Sequence, residues 1–398
     1  YAWTPDGRSI VIWGEGKIWR VDVASGKGQQ IPFTARVEQT LQEAVRFEQN
    51  VHPDQFPVKM LRDVRVSPDG TMVVYSALGK LYSRALPTGE PKRLTDSDAL
   101  EFFPSFSRDG QWIVYTTWTD ADMGRVRVIR PDGSGGRDVV GAPGHYVEPS
   151  FSPDGQTIVY RHAGGDQARG PYFASDPGVY VVPAAGGEPL LAREGGQDPE
   201  FDHTGNRIYL REFRNNANTL ISIGDPTTGS PLPGRDEIEH IRSQNATEYA
   251  ISPNGEWIAF EERFRTFVAP FPRTGRVVDI GPTTAAYPVQ RISRDTGFFL
   301  HWSGDSSKVY WTLGPELFTR ELTRTFTFLE GAQEKADEPE AKGVDIGFTA
   351  TSDRPSGRRT TPTSVSRPAC GLRSISPISA VSSCAPKAAA PWPAASTS

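Results

Sequence analysis

Softer metal ligands and titratable imidazoles are scarce in these 398 residues, which hold two cysteines, three methionines and six histidines. Both cysteines, Cys370 and Cys384, sit near the C-terminal end, so no disulfide framework staples the rest of the chain. His52, His145, His162, His203, His240 and His301 are scattered, with no H-x-H, no H-E-x-x-H and no Cys/His cluster, so the chain encodes no motif for a catalytic zinc. A serine hydrolase of the nucleophile-elbow type is excluded too, because no G-x-S-x-G occurs. The glycine-rich pieces at 133–136 and 186–187 lack the Lys-Ser/Thr and the helix that a phosphate loop needs. There is no basic excess either: a net charge of −5 argues against a general nucleic-acid binder. No run approaches the ~18–20 apolar residues of a membrane-spanning helix.

What the chain has in abundance is turn residues, 39 glycines and 34 prolines, a density that long helices do not tolerate. They recur in one motif: Thr4-Pro5-Asp6-Gly7, Ser67-Pro68-Asp69-Gly70, Ser107-Arg108-Asp109-Gly110, Ser152-Pro153-Asp154-Gly155 and Ser252-Pro253-Asn254-Gly255. Asp202-His203-Thr204-Gly205 and Ser303-Gly304-Asp305 are weaker copies. Pro presets φ, Asp or Asn bonds its own backbone and Gly closes the turn, so each copy reads as a β-turn. A short strand precedes each turn ("PSFS") and another follows it ("QWIVYT", "TIVYR", "RIYLR", "EWIAFE"). A third strand and a Gly-containing hairpin complete the unit, as in "GVYVVPAAGGEPLLA". Four short strands per unit, repeating every ~40–50 residues, is the sequence form of a propeller blade. The fold expected is all-β: a β-propeller of about seven, alternatively six, four-stranded blades.

The long first interval holds "ARVEQTLQEAVRFEQ" (35–49), whose Val37, Leu41, Ala44 and Val45 make one apolar stripe at helical spacing. It predicts an inserted amphipathic helix packed as a connector. The organisation expected is a propeller over 1–329, a linker over 330–357 and a tail over 358–398. The chain starts inside a repeat, at "YAWTPDG", which suggests that a segment precedes it.

The h-x-P-x-F-S-P-D-G-x-x-I-V-Y unit resembles the WD40-like (PD40) repeat of TolB and tricorn-type propellers. Four stretches, 2–22, 58–70, 143–160 and 300–322, look like a bacterial amidohydrolase family. Its large proteins carry an export signal, tandem propeller repeats and then a metal-dependent amidohydrolase domain. "GFTATSDRPSG" (347–357) resembles the linker into that domain. The resemblance implies a periplasmic or secreted propeller scaffold, with zinc required only by a catalytic domain whose H-x-H pair this chain lacks. No cofactor is expected in the chain itself. The competing reading is a stand-alone TolB-like module that binds a peptide or a protein. In both readings neither nucleic acid nor a membrane span is expected, and the partner is the amidohydrolase domain or a peptide or protein.

Three carboxylates are candidates for a binding rim. Glu148 and Asp198 stand just before the Pro of an inner strand, four residues ahead of the turn; Glu101 lies two residues further back in its own repeat. If inner strands line the channel, these side chains could rim one mouth and attract cationic or N-terminal groups. The plainer alternative is local bonding to backbone N–H groups. From Ser356 onward there is no Asp or Glu at all, and Ser, Pro and Ala dominate. That texture fits a disordered tail, or a GC-rich gene translated out of frame after Gly357, the reading favoured here.

Overall fold

Five of the repeat turns in the second unit, those opened by Ser67, Ser107, Ser152, Ser252 and Ser303, are wired the same way. In the Ser67 copy, the Gly70 amide donates to the Ser67 carbonyl (2.8 Å) and the Ser67 hydroxyl donates to Asp69 (2.5 Å). The amides of Thr71 and Met72 then donate to Asp69 (3.1 Å) and to the Ser67 hydroxyl (3.0 Å). Gly70 sits at φ +75°, a left-handed conformation that suits glycine. The same bonds recur around Asp109, Asp154, Asn254 and Asp305.

The computed structural model describes residues 1–35, 53–164, 176–224, 236–284, 286–339 and 342–352. The helix expected at 35–49 and the tail at 358–398 lie outside the described residues, apart from Ala35. The chain divides into two compact units, Tyr1–Pro53 and Asp54–Ser398.

The first unit contains one four-stranded antiparallel sheet of Ala2–Trp3, Ser9–Gly14, Lys17–Asp22 and Gly28–Ile31, paired in chain order. Among its described residues there is no second sheet, and Ser9 alone is buried.

The second unit contains six blades. Blade I comprises Arg62–Val66, Met72–Ala77, Lys80–Ala85 and Lys92–Arg93. Blade II comprises Leu100–Phe106, Ile113–Thr119, Met123–Ile129 and Arg137–Gly144; blade III comprises Tyr146–Phe151, Thr157–His162, Gly178–Pro183 and Leu190–Arg193. Blade IV comprises Gln197–Phe201, Arg207–Arg214, Ala217–Gly224 and Ile238–Ser243, with Val278–Asp279 added in parallel as a fifth strand. Blade V comprises Ala246–Ile251, Trp257–Glu262, Arg265–Pro270 and Gln290–Arg291; blade VI comprises Phe298–Trp302, Lys308–Leu313, Glu316–Glu321 and Val344–Asp345.

There is no single core. Six apolar clusters occupy six seams, one for each pair of neighbouring blades. Val74, Leu81, Ile113 and Tyr115 join I to II; Val126, Phe151 and Ile158 join II to III; Val159, Val181, Ile208 and Leu210 join III to IV. Tyr209, Ile241, Ile258 and Phe260 join IV to V, and Trp257, Val268, Leu300 and Trp311 join V to VI. The sixth cluster joins VI back to I through Tyr310, Leu317, Val64, Val73 and Tyr75, and so closes a ring. The closing seam is also hydrogen-bonded: the Val66 amide donates to His301 Nε2 (2.9 Å), and the Gly304 amide to the Pro68 carbonyl (3.0 Å). The propeller of this unit therefore has six blades, the alternative count from the sequence. The seventh blade-like sheet is the one in the first unit.

Within the segment expected to be a linker, 330–357, two described stretches are strands. Val344–Asp345 is the outer strand of blade VI, and Phe348–Thr351 pairs antiparallel with Gln55–Val58. Ile346 is fully buried and joins Val58 in the closing seam, which is why the chain stays folded past the last repeat.

Candidate functional site

The inner strands surround a cavity of about 680 Å³, lined from all six blades. Its walls are set by a device repeated in every blade: the pairing of the inner strand with the second strand is interrupted by a bulge. In five blades the residue four before the first residue of the turn has a positive φ, although none of the five is glycine: Asp63 (52°), Phe103 (53°), Glu148 (56°), Asp198 (52°) and Phe299 (59°). Such backbone costs on the order of 1 kcal/mol per residue and persists only where its surroundings enforce it.

Three carboxylates provide part of that enforcement. Asp63 accepts from the Phe103 amide (3.1 Å), Glu148 from the Asp198 amide (2.8 Å) and Glu248 from the Leu300 amide (2.8 Å). Blades I, III and V thus each brace the bulge of the blade that follows. An ionised acceptor makes such a bond stronger than a neutral one, and burial pushes Asp63 and Glu248 toward the neutral form.

Of the three carboxylates expected at a rim, two line the cavity and one does not. Glu148 is gripped by Arg161 through two bonds, one of them 2.8 Å from Nε. Asp198 is held by Arg211 Nε at 2.7 Å, and burial together with the nearby Glu148 pushes its carboxyl above the usual range. Glu101 is fully buried away from any rim. It accepts from the Leu81 amide (2.8 Å) and from the Thr95 hydroxyl, which is the local bonding given as the alternative. The bulge between Phe102 and Ser105 is the physical reason: strand alternation does not carry across it, so Glu101 turns into the seam between blades I and II.

The cavity also holds charged residues that were not singled out in the sequence. Arg65 and Glu200 stand two residues before the first residue of the turn in blades I and IV, and Glu248 stands four before it in blade V. Enclosure by the cavity walls, which strips bulk water from the charged form, raises the Glu200 and Glu248 carboxyls to about 7 against the opposing pull of Arg65, although Glu200 stays open to the lumen. His301, two before the turn in blade VI, is neutral: burial lowers it to about 3, Nε2 accepts from Val66 and Nδ1 donates to the Phe299 carbonyl (2.8 Å). The repeat alignment could have found these residues, since each occupies a position equivalent to Glu148 or lies two residues beyond it.

A Ser–His contact occurs elsewhere, with Ser222 Oγ 2.7 Å from His240 Nε2. The Ser222 side chain is fully buried and also accepts from Arg207 Nε (2.8 Å), so it is closed to a substrate. Burial lowers His240 to about 4. Among the described residues, no three His, Cys, Asp or Glu side chains converge as a metal ion would require.

The solved structures to which the chain is similar include TolB proteins and the tricorn protease. A TolB from Agrobacterium tumefaciens matches at 16% identity, covering 67% of this chain and 96% of that one, with a TM-score of 0.49. An oligogalacturonate lyase in complex with manganese matches at 11% identity over 80% of this chain and 87% of that one, with a TM-score of 0.47. The tricorn protease matches at 12% identity over 87% of this chain and 39% of that one, with a TM-score of 0.46. No protein-family model and no curated protein matches the chain. Among the described residues, no helix is long and apolar enough to cross a membrane.

Proposed function

We propose that the chain is a non-catalytic propeller scaffold that binds an apolar segment of a protein or peptide on one face of its six-bladed ring. The observation that carries this reading is a concentration of exposed apolar side chains: of the twelve large ones among the described residues of the second unit, seven lie on one face, and Leu190, Leu191, Ile238, Phe328 and Val344 lie on or near outer strands. In a four-stranded meander, the hairpin between the second and third strands and the start of the inner strand lie on the same face, opposite the repeat turn. Leu78 (52% exposed), Met123 (42%), Phe213 (65%) and Phe264 (71%) belong to those hairpins. Met60 (74%), Leu100 (42%) and Phe298 (42%) lie at or just before the starts of inner strands. Leu100 packs over Gly79, so in blades I and II the two sets touch. Apolar surface gathered in this way marks an interaction site more often than isolated exposed residues do.

Peptides selected from a displayed random library against the whole chain test this reading. Selected sequences rich in apolar residues should bind the wild type and lose binding to the quadruple variant Leu78→Ser, Met123→Ser, Phe213→Ser, Phe264→Ser. Binding unchanged by that variant contradicts the face assignment.

The sequence resemblance supports a second, more specific reading, in which the partner is a metal-dependent amidohydrolase domain in a periplasmic protein. Translating the other frames of the gene beyond codon 357 tests it: an H-x-H motif supports it, and its absence in every frame counts against it. Zinc added to the purified chain should yield no amide hydrolysis; metal-dependent turnover would sink the scaffold reading in both forms.

A further inference from the structure

Most charges lining the central cavity are already committed. Asp63, Glu148 and Glu248 brace neighbouring bulges, and Asp198 is held by Arg211. Arg65 and Glu200 differ. Glu200 is open to the lumen and makes no hydrogen bond or ion pair with any described residue. The one bond of the Arg65 guanidinium among the described residues is to the carbonyl of Val64 (3.1 Å). Blades I and IV are three steps apart in a ring of six, so this acid and this base face one another across the lumen. The Arg65 charge reaches Glu200 and opposes the rise of its carboxyl, yet the two are not within the 4 Å of an ion pair. Arg108 lines the same cavity, its guanidinium bonded to the His203 carbonyl at 3.4 Å.

An unpaired carboxylate and an unpaired guanidinium on opposite walls fit a ligand with one charge of each sign. The volume of about 680 Å³ lies within the ~300–1,000 Å³ usual for small-molecule sites. We propose that the lumen binds a small zwitterionic amino compound, an α-amino acid or a dipeptide with free termini, its ammonium on Glu200 and its carboxylate on Arg65. This site is independent of the apolar face.

Calorimetric titration of the full chain with L-alanyl-L-alanine, its N-acetyl form and its C-terminal amide tests the assignment. The free dipeptide should bind, and blocking either end should weaken binding on the order of tenfold or more, the effect of losing one hydrogen-bonded charge. Glu200→Ser and Arg65→Ser should each cost a similar factor. Equivalent positions in other blades hold Ser105, Ser150 and Ala250, so the fold already accepts small residues there. The N-acetyl form should be indifferent to Glu200→Ser, and the amide to Arg65→Ser. Equal affinity for free and blocked forms overturns the proposal, as does no heat from any of the three up to about 10 mM. The ligand series on the unaltered chain decides even if a variant misfolds. The quadruple face variant should leave dipeptide binding unchanged, so failure of one site is distinguishable from failure of the other.

Discussion

The sheet of residues 2–31 and blade I of the ring are built from the same repeat in the same strand order, yet their side chains meet opposite fates. In blade I, Val73, Val74 and Tyr75 of the second strand are fully buried. In the first sheet the second strand leaves Ile12 38% exposed and Trp13 78% exposed. Neither the turn chemistry nor the strand pairing differs enough to explain this. A blade is four strands wide and one sheet thick, so its apolar faces are buried only by the blades on either side. The unit that holds the ring together is therefore the seam, and the energetics should follow the seams.

The largest effect is expected where a large side chain fills a seam completely. Trp311→Ala, at 1% exposure between blades V and VI, should cost about 3–5 kcal/mol in denaturant unfolding. Gly304→Ala should cost less, about 1–3 kcal/mol, because a Cβ there would lie 2.9 Å from Pro68 and press apart the turns of blades VI and I.

The third expectation concerns pH. His301 titrates at about 3 in the folded chain and near 6.5 when unfolded, so below pH 6.5 only the unfolded state takes up its proton. Stability from this residue is complete above pH 6.5 and falls as the pH drops toward 3. Glu200 and Glu248, raised to about 7, act in the opposite direction between pH 7 and their unfolded values. The clean readout is the difference between chains: stability of His301→Gln relative to wild type should rise by about 1 kcal/mol per pH unit below 6.5. A constant difference between pH 7 and pH 5 would contradict the buried neutral imidazole. The smallest effect is expected at an exposed side chain of the first unit: Trp13→Ala, at 78% exposure, should change stability by no more than about 0.5 kcal/mol.

The repeat arithmetic found the blades because the turn motif is chemically demanding: Ser, Asp or Asn, and Gly are each needed at fixed places. Even the weak copy at Asp202 keeps the geometry, with its one carboxylate accepting from the amides of Asn206 and Arg207, which in the other copies go to the Asp or Asn and to the Ser hydroxyl respectively. The ring closure was not legible, since Val58, Ile346 and Phe348 carry no repeat signal and meet only in the folded chain. The cavity was half legible. Glu148 and Asp198 fall at a repeated position and line the cavity, whereas Glu101 lies across an inner-strand bulge that no glycine announces and turns into the seam. Arg65 and Glu200 went unseen because their meaning depends on blades I and IV being opposite, which requires the ring to have six members.

That count is the central claim, and distances between spin labels at equivalent turn positions test it most directly. Thr71, Asn206 and Ser307 each follow the turn of their blade, in I, IV and VI. With Cys370 and Cys384 replaced, labels at 71 and 307 should give a short, narrow distance, because blades VI and I adjoin through Gly304 and Pro68. Labels at 71 and 206 should give the longest distance available between any two turns of the ring. A 71–307 distance equal to or longer than 71–206, or one spread broadly, would contradict a closed ring of six.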